Sequence, residues 1–195
     1  MFFKFTAQKT ADWLLRNNRI IADKREIYEF GLEKLFSSFA NIFFLLLFGF
    51  VLGIALPAAM FYLAYVLIRV YAGGYHSDNP LICFFVSIAV LIPCLFAIRF
   101  YRVWNVPVAF WSLLALSITL LVLISPVEHK NKPLEAIAKC VYRRRMLRNL
   151  TLISTSAAIL SLLTLGSYSA AILCGLVLSA TTACVGKMTS RMSAI

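Results

Sequence analysis

The chain has 195 residues, 62% of them hydrophobic, with 16 Phe and a mean hydropathy of +0.86. That is more apolar surface than a soluble core of this size can hide, which excludes an ordinary water-soluble globular domain and makes lipid the solvent. The formal net charge of +11 is clustered, with seven basic residues in 1–34 and seven more from Lys130 to Arg148. Cytoplasmic segments beside membrane helices collect Lys and Arg, and anionic lipid attracts them. Nucleic acid is not expected as a partner, because these residues flank apolar runs and no recognition motif accompanies them.

Residues 1–35 form an amphipathic N-terminal segment. Trp13, Ile20 and Ile27 recur at intervals of seven, as do Leu14, Ile21 and Tyr28, while Arg16, Arg19, Asp23, Lys24, Arg25 and Glu29 occupy other faces. The pattern predicts a helix lying in the interface, its apolar edge at the acyl boundary and its charges among the headgroups. No secretory signal is expected here, since charges run throughout and no apolar stretch ends in a small-residue cleavage site.

Residues 36–195 are predicted to form a single transmembrane domain in an all-α, polytopic helical bundle. Apolar runs of about 18 to 20 residues match the length that crosses roughly 30 Å of hydrocarbon. They predict six spans at 36–56, 58–72, 81–98, 106–125, 150–166 and 168–186, with Pro57 marking a tight first turn and Gly166, Ser167 and Tyr168 joining the last two spans. A basic N-terminus placed inside puts the loops 69–83 and 126–149, Lys187 and Arg191 inside too, leaving Arg99 and Arg102 outside. Both termini are then cytoplasmic. Ser and Thr scattered through 151–182 suggest close helix packing. Cys94, Cys174 and Cys184 fall in apolar runs as reduced thiols, so no disulfide framework is expected.

The most informative stretch runs from Arg69 to Cys83, where polar and conformationally special residues stand between two apolar spans. Gly73 and Gly74 allow the chain to unwind and turn, placing His76 on a loop. Asn79 followed by Pro80 reads as an N-cap and first helical residue, which puts Cys83 in the first turn of the third span. The positive end of that helix favours a thiolate, and a nearby imidazole favours it further. On one unbroken helix His76 and Cys83 would stand roughly 10 Å apart, too far for proton transfer, and the Gly-Gly and Asn-Pro breaks remove that objection.

A thiolate attacking a peptide carbonyl needs a proton partner, oxyanion donors and protection from water. His76 supplies the first, and free N–H groups around Leu81 to Cys83 are candidates for the second. Arg69 binds a carboxylate or braces the loop. Asp78 either orients the imidazole or caps the helix.

Arg69, Ala72-Gly73-Gly74, His76 and Cys83, followed by Pro126-Val127-Glu128-His129-Lys130-Asn131-Lys132-Pro133, resemble the accessory gene regulator protein B (AgrB) family of Gram-positive quorum sensing. The resemblance covers essentially the whole chain. It implies a cell-membrane thiol protease that cleaves a small amphipathic propeptide at the start of its acidic C-terminal tail. It further implies that the upstream part is held as a thioester on Cys83 and then closed into a thiolactone or lactone. No cofactor is implied, and the family is often dimeric.

Alternatives stand beside this reading. Glu128, Lys130 and Lys132 form a salt-bridged loop, a docking surface for the acidic tail or a lipid contact. His129 with Cys140 is a competing catalytic pair. Two histidines without HExxH-like spacing leave too few ligands for a catalytic zinc. The non-enzymatic alternative is a small transporter or peptide exporter, which the near absence of ionisable residues within the spans disfavours.

Overall fold

The computed structural model describes residues 2–74, 80–101, 107–127 and 136–192, and every regular element among them is helical. The helices are α1 (Phe2–Arg16), α2 (Arg25–Val51), α3 (Ala55–Ala72), α4 (Pro80–Arg99), α5 (Pro107–Ile124), α6 (Ala136–Leu162) and α7 (Gly166–Met192), with a 3-10 turn at Ala22–Lys24. Four of them, α2, α3, α5 and α7, are long and apolar enough to cross a membrane. The expected third and fifth spans correspond to α4, which is apolar over Phe84–Arg99, and to α6, which is apolar only in its second half. The chain is thus a polytopic membrane protein of the all-α class.

The helices fall into two compact units. The first comprises Met1–Leu47 and Ser77–Ile92. Here α1 buries Ala7 and Ala11, and Phe84 of α4 meets Phe3 at 5.4 Å and Phe44 at 6.0 Å between ring centroids. Arg25 ties α1 to α2 through Asp12 at 2.8 Å and also pairs with Glu29 at 3.1 Å.

The amphipathic N-terminal segment is not one continuous helix. Asn18 has φ 53°, its N–H donates to Leu15 O at 3.0 Å, and Arg19 N–H donates to Leu14 O at 2.9 Å. Asparagine tolerates the left-handed conformation, and these two bonds close α1 as a Schellman motif. The seven-residue stripe is broken accordingly: Trp13 and Ile27 are exposed, while Ile20 is buried.

The second unit comprises Phe48–His76 and Pro93–Ile195, and α7 is its axis, packed by α3, α5 and α6. Small residues let the backbones approach. A Cβ on Gly175 would stand 2.8 Å from Phe61 O and 3.1 Å from Tyr65 N, so α3 and α7 meet almost backbone to backbone. Around that contact Ile172, Leu176, Ala180 and Ala183 of α7 are buried with Ile68 and Ala72 of α3 and Met146, Leu150 and Ala157 of α6. Ser169 and Ser179 are buried among them, consistent with the packing read from the hydroxyl-rich stretch. Thr151 and Thr155 are exposed instead, each donating to a carbonyl of its own helix, at 2.8 Å to Arg148 O and Thr151 O respectively.

Three boundaries differ from the sequence reading. The first inter-span turn lies at Gly53, with φ 69°, and Pro57 sits inside the first turn of α3, where its missing N–H costs no helical bond. The last two helices join at 163–165, with Gly166 already helical. A Cβ on Gly166 would stand 2.6 Å from the Tyr101 ring. Finally, the basic loop expected over 126–149 is helical from Ala136 onward, continuous with the span that follows.

Thr164 takes φ 59° at the left-handed position after α6, with Leu165 N–H bonded to Leu160 O at 3.1 Å. A β-branched residue is strained there by roughly 1 to 2 kcal/mol. Thr164→Gly is expected to stabilise the protein by about 1 kcal/mol, read as a raised thermal midpoint in detergent. A lowered midpoint would show that the Thr164 side chain contributes more than its backbone costs.

Candidate active site

Four helix ends converge in the second unit. The C-terminal end of α3 meets the segment after α5, the first half of α6 and the last turns of α7. Asn149 of α6 donates Nδ2 to Leu67 O at 3.0 Å, and Tyr142 packs edge-on to Tyr71 with centroids 5.8 Å apart. Arg145 lies over the Tyr71 ring at 6.0 Å.

The last carbonyls of α3 are satisfied from both sides. Gly73 N–H donates back to Arg69 O at 3.1 Å, and the Arg69 guanidinium donates Nη1 to Gly73 O at 3.0 Å. Val127 N–H donates to Ala72 O at 2.8 Å. This last bond joins the two motifs that carried the family resemblance, the Ala72-Gly73-Gly74 turn and the segment starting at Pro126, across more than fifty residues of chain. Ser125, one residue upstream, is buried, and its Oγ has no hydrogen-bond partner among the described residues.

Both glycines are required by geometry. Gly73 has φ 73° and ψ −158°, a region essentially reserved for glycine, and a Cβ there would run into the Val127 carbonyl. Gly74 has φ 137°, and a Cβ there would strike the Arg69 guanidinium and stand 2.8 Å from Thr182 O of α7. The glycines therefore serve close approach as well as turning, which a sequence cannot show because the neighbours are distant backbone.

The other candidate positions divide as follows. Arg69, Gly73 and Gly74 come together as described. α4 starts at Pro80, so the backbone of Cys83 lies in its first turn. His76, Asp78, Glu128, His129, Lys130 and Lys132 lie outside the described residues, as does the side chain of Cys83. Cys140 is exposed on α6. No metal-binding group of His, Cys, Asp and Glu occurs among the described residues. The sequence reading missed Val127, Thr182 and Asn149 as parts of this junction. Only Asn149, a polar side chain at the start of an apolar run, carried a usable signal.

Gly73→Ala and Gly74→Ala are each expected to destabilise the protein by about 1 to 3 kcal/mol, seen as a lowered thermal midpoint in detergent. Gly31→Ala is the control, since a Cβ there meets nothing within 4 Å. Equal midpoints for all three variants would mean that the junction is looser than its geometry indicates.

Comparison with known proteins fits this arrangement. The family model for Accessory gene regulator B (AgrB) matches residues 7–184. A protein of Clostridium perfringens (strain 13 / Type A) named as AgrB-like protein 2 is 28% identical over 161 residues, covering 78% of this chain and 70% of its own length. An AgrB-like protein of Clostridium perfringens (strain SM101 / Type A) is 26% identical over 161 residues, with the same coverage. No solved structure matches the chain. With the matched region taking in the glycine turn, the segment after α5, the whole of α2 to α6 and most of α1 and α7, the chain belongs to the AgrB family, whose members process quorum-sensing peptides at the membrane.

Proposed function

We propose that this protein is a membrane-embedded cysteine endopeptidase that removes the acidic C-terminal tail of a small quorum-sensing propeptide. The observation that carries the reading is the position of Cys83, fourth residue of α4, at a helix N-terminus. Free N–H groups and the helix dipole there favour a thiolate. Before it in the chain stands the glycine turn pinned by Val127 and Arg69, whose last residue, Gly74, is two positions ahead of His76.

In the proposed reaction the imidazole of His76 takes the Cys83 thiol proton, and the sulfur attacks the scissile carbonyl carbon. Backbone N–H groups of the first turn of α4 hold the oxyanion. The C–N bond then breaks, His76 protonates the departing amine, and the acidic tail leaves. The upstream peptide remains as a thioester on Cys83. A cysteine or serine within that peptide attacks the thioester, expels the Cys83 thiolate and closes a thiolactone or lactone. An internal nucleophile at high effective concentration outcompetes water in this step. Asp78 is assigned to orient the imidazole. Glu128, Lys130 and Lys132 lie in the segment proposed to meet the acidic tail.

Charge distribution supports placing the α3–α7 junction on the cytoplasmic side. Arg69, Lys139, Arg143, Arg144, Arg145, Arg148 and Lys187 all belong to that end of the second unit, against Arg99 at the other. The positive-inside rule then orients the protein with this face inward, against the anionic leaflet. The same reading takes 1–35 as an interfacial segment, 36–195 as the peptidase domain and a homodimer as the assembly.

Cys83→Ala and His76→Ala are each expected to lower propeptide cleavage in proteoliposomes by more than about a thousandfold while membrane insertion persists. Cys140→Ala should keep substantial activity. Mass spectrometry of the wild type should find an acyl adduct on Cys83 that hydroxylamine removes. Cleavage surviving in Cys83→Ala, or lost in Cys140→Ala, would assign the nucleophile elsewhere.

A further inference from the structure

Helix α6 carries two stripes with different partners. Met146, Leu150, Ile153 and Ala157 face the core and are buried. On another face Val141, Arg144, Arg145 and Arg148 recur at intervals of three and four, all exposed, and among the described residues they line a cleft of about 490 Å³. The helix beneath them is held by the Asn149 bond to Leu67 and the Tyr142 contact with Tyr71. These cations therefore stand on a fixed scaffold.

The described residues of the second unit include no carboxylate to balance them. Beyond Glu33 the only acidic residues are Asp78, Glu128 and Glu135, whereas α6 alone carries Lys139, Arg143, Arg144, Arg145 and Arg148. Within the described part of the second unit, a counter-charge for Arg144, Arg145 and Arg148 can come only from another molecule.

The continuation of the stripe identifies its kind. Four residues after Arg148 comes Leu152, followed on the same face by Ile159 and Leu162, exposed by 64%, 56% and 74%. The Thr155 hydroxyl between them is satisfied by Thr151 O at 2.8 Å. An anion-binding head thus runs without interruption into an apolar track. At about 1.5 Å per residue the track from Leu152 to Leu162 is roughly 15 Å long, half of a hydrocarbon core of about 30 Å and so one leaflet deep. An acidic peptide would match the arginines and leave the apolar track unexplained.

We propose that this face of α6 is a specific binding site for one anionic phospholipid. Its phosphate is held by Arg144, Arg145 and Arg148, and an acyl chain lies along Leu152, Ile159 and Leu162. Guanidinium groups suit phosphate oxygens through paired, charge-assisted hydrogen bonds. This goes beyond a general attraction of basic loops to the membrane, because it names the residues and predicts selectivity for headgroup charge. It does not rest on the proteolytic reading.

Native mass spectrometry of the full-length protein, with no propeptide present, tests it. Wild-type protein is expected to retain one phosphatidylglycerol in preference to phosphatidylcholine by at least tenfold. Arg144→Gln/Arg145→Gln/Arg148→Gln should abolish that preference, Arg148→Gln alone should weaken it severalfold, and Arg148→Lys should weaken it less. The single variants keep the test informative if the triple variant misfolds. Leu152→Gln with Ile159→Gln should also reduce retention, and deacylated glycerophosphoglycerol should fail to compete. Unchanged retention in the triple variant and in Arg148→Gln would overturn the proposal. So would displacement of the lipid by an equimolar acidic decapeptide, which would assign the arginines to a peptide ligand.

Discussion

A helix that ends among other helices in a membrane protein cannot leave its last carbonyls to water, and at the end of α3 this constraint is met by one backbone hydrogen bond. Val127 N–H satisfies Ala72 O at 2.8 Å, with Arg69 and Gly73 closing the carbonyls on either side. An unsatisfied polar group in such surroundings costs several kcal/mol. That penalty holds α5's continuation against α3, and with it the glycine turn from which the His76 segment departs. The absence of side chains at Gly73 and Gly74 follows directly, since a Cβ at either position would occupy space already filled by Val127 or by Arg69 and Thr182.

The same junction accounts for the arrangement of the second unit. Contacts pair Gly175 with Phe61 and Gly74 with Thr182, so α3 and α7 run in the same direction, whereas Asn149 opposite Leu67 and Tyr142 opposite Tyr71 make α6 antiparallel. The basic residues of α6 are thereby brought to the end where α3 and α7 finish. A charge cluster that reads as a loop in sequence is part of a rigid helix fixed to the candidate site.

Much of this was legible in the residues. The start of α4 at Pro80 followed from proline's fitness for a first helical position, and the end of α3 at Ala72 followed from two adjacent glycines. The partners of those glycines were not legible, because Val127 O and Thr182 O are backbone atoms that leave no mark on sequence. The break after α1 was missed because the seven-residue apolar stripe runs on past Asn18, whose left-handed conformation ends the helix. Arg69 allowed two roles by sequence, and in the structure its guanidinium bonds to the turn.

Helix α6 shows why hydropathy alone misjudges such segments. Its 27 residues make a rod of about 40 Å, while its apolar part, 150–162, covers only about 20 Å of a core near 30 Å thick. The missing depth must be covered by long side chains just upstream, whose aliphatic stems lie along apolar surface while their charged heads reach the phosphate layer. Arg144, Arg145 and Arg148 occupy those turns on the face that continues into Leu152, and Met146 and Leu150 on the opposite side are buried and prevent the helix from rotating to solvate them elsewhere. The short apolar stretch and the arginine stripe are therefore one feature: a helix too short to span by its apolar residues alone, completed at the headgroup level by cations fixed in place.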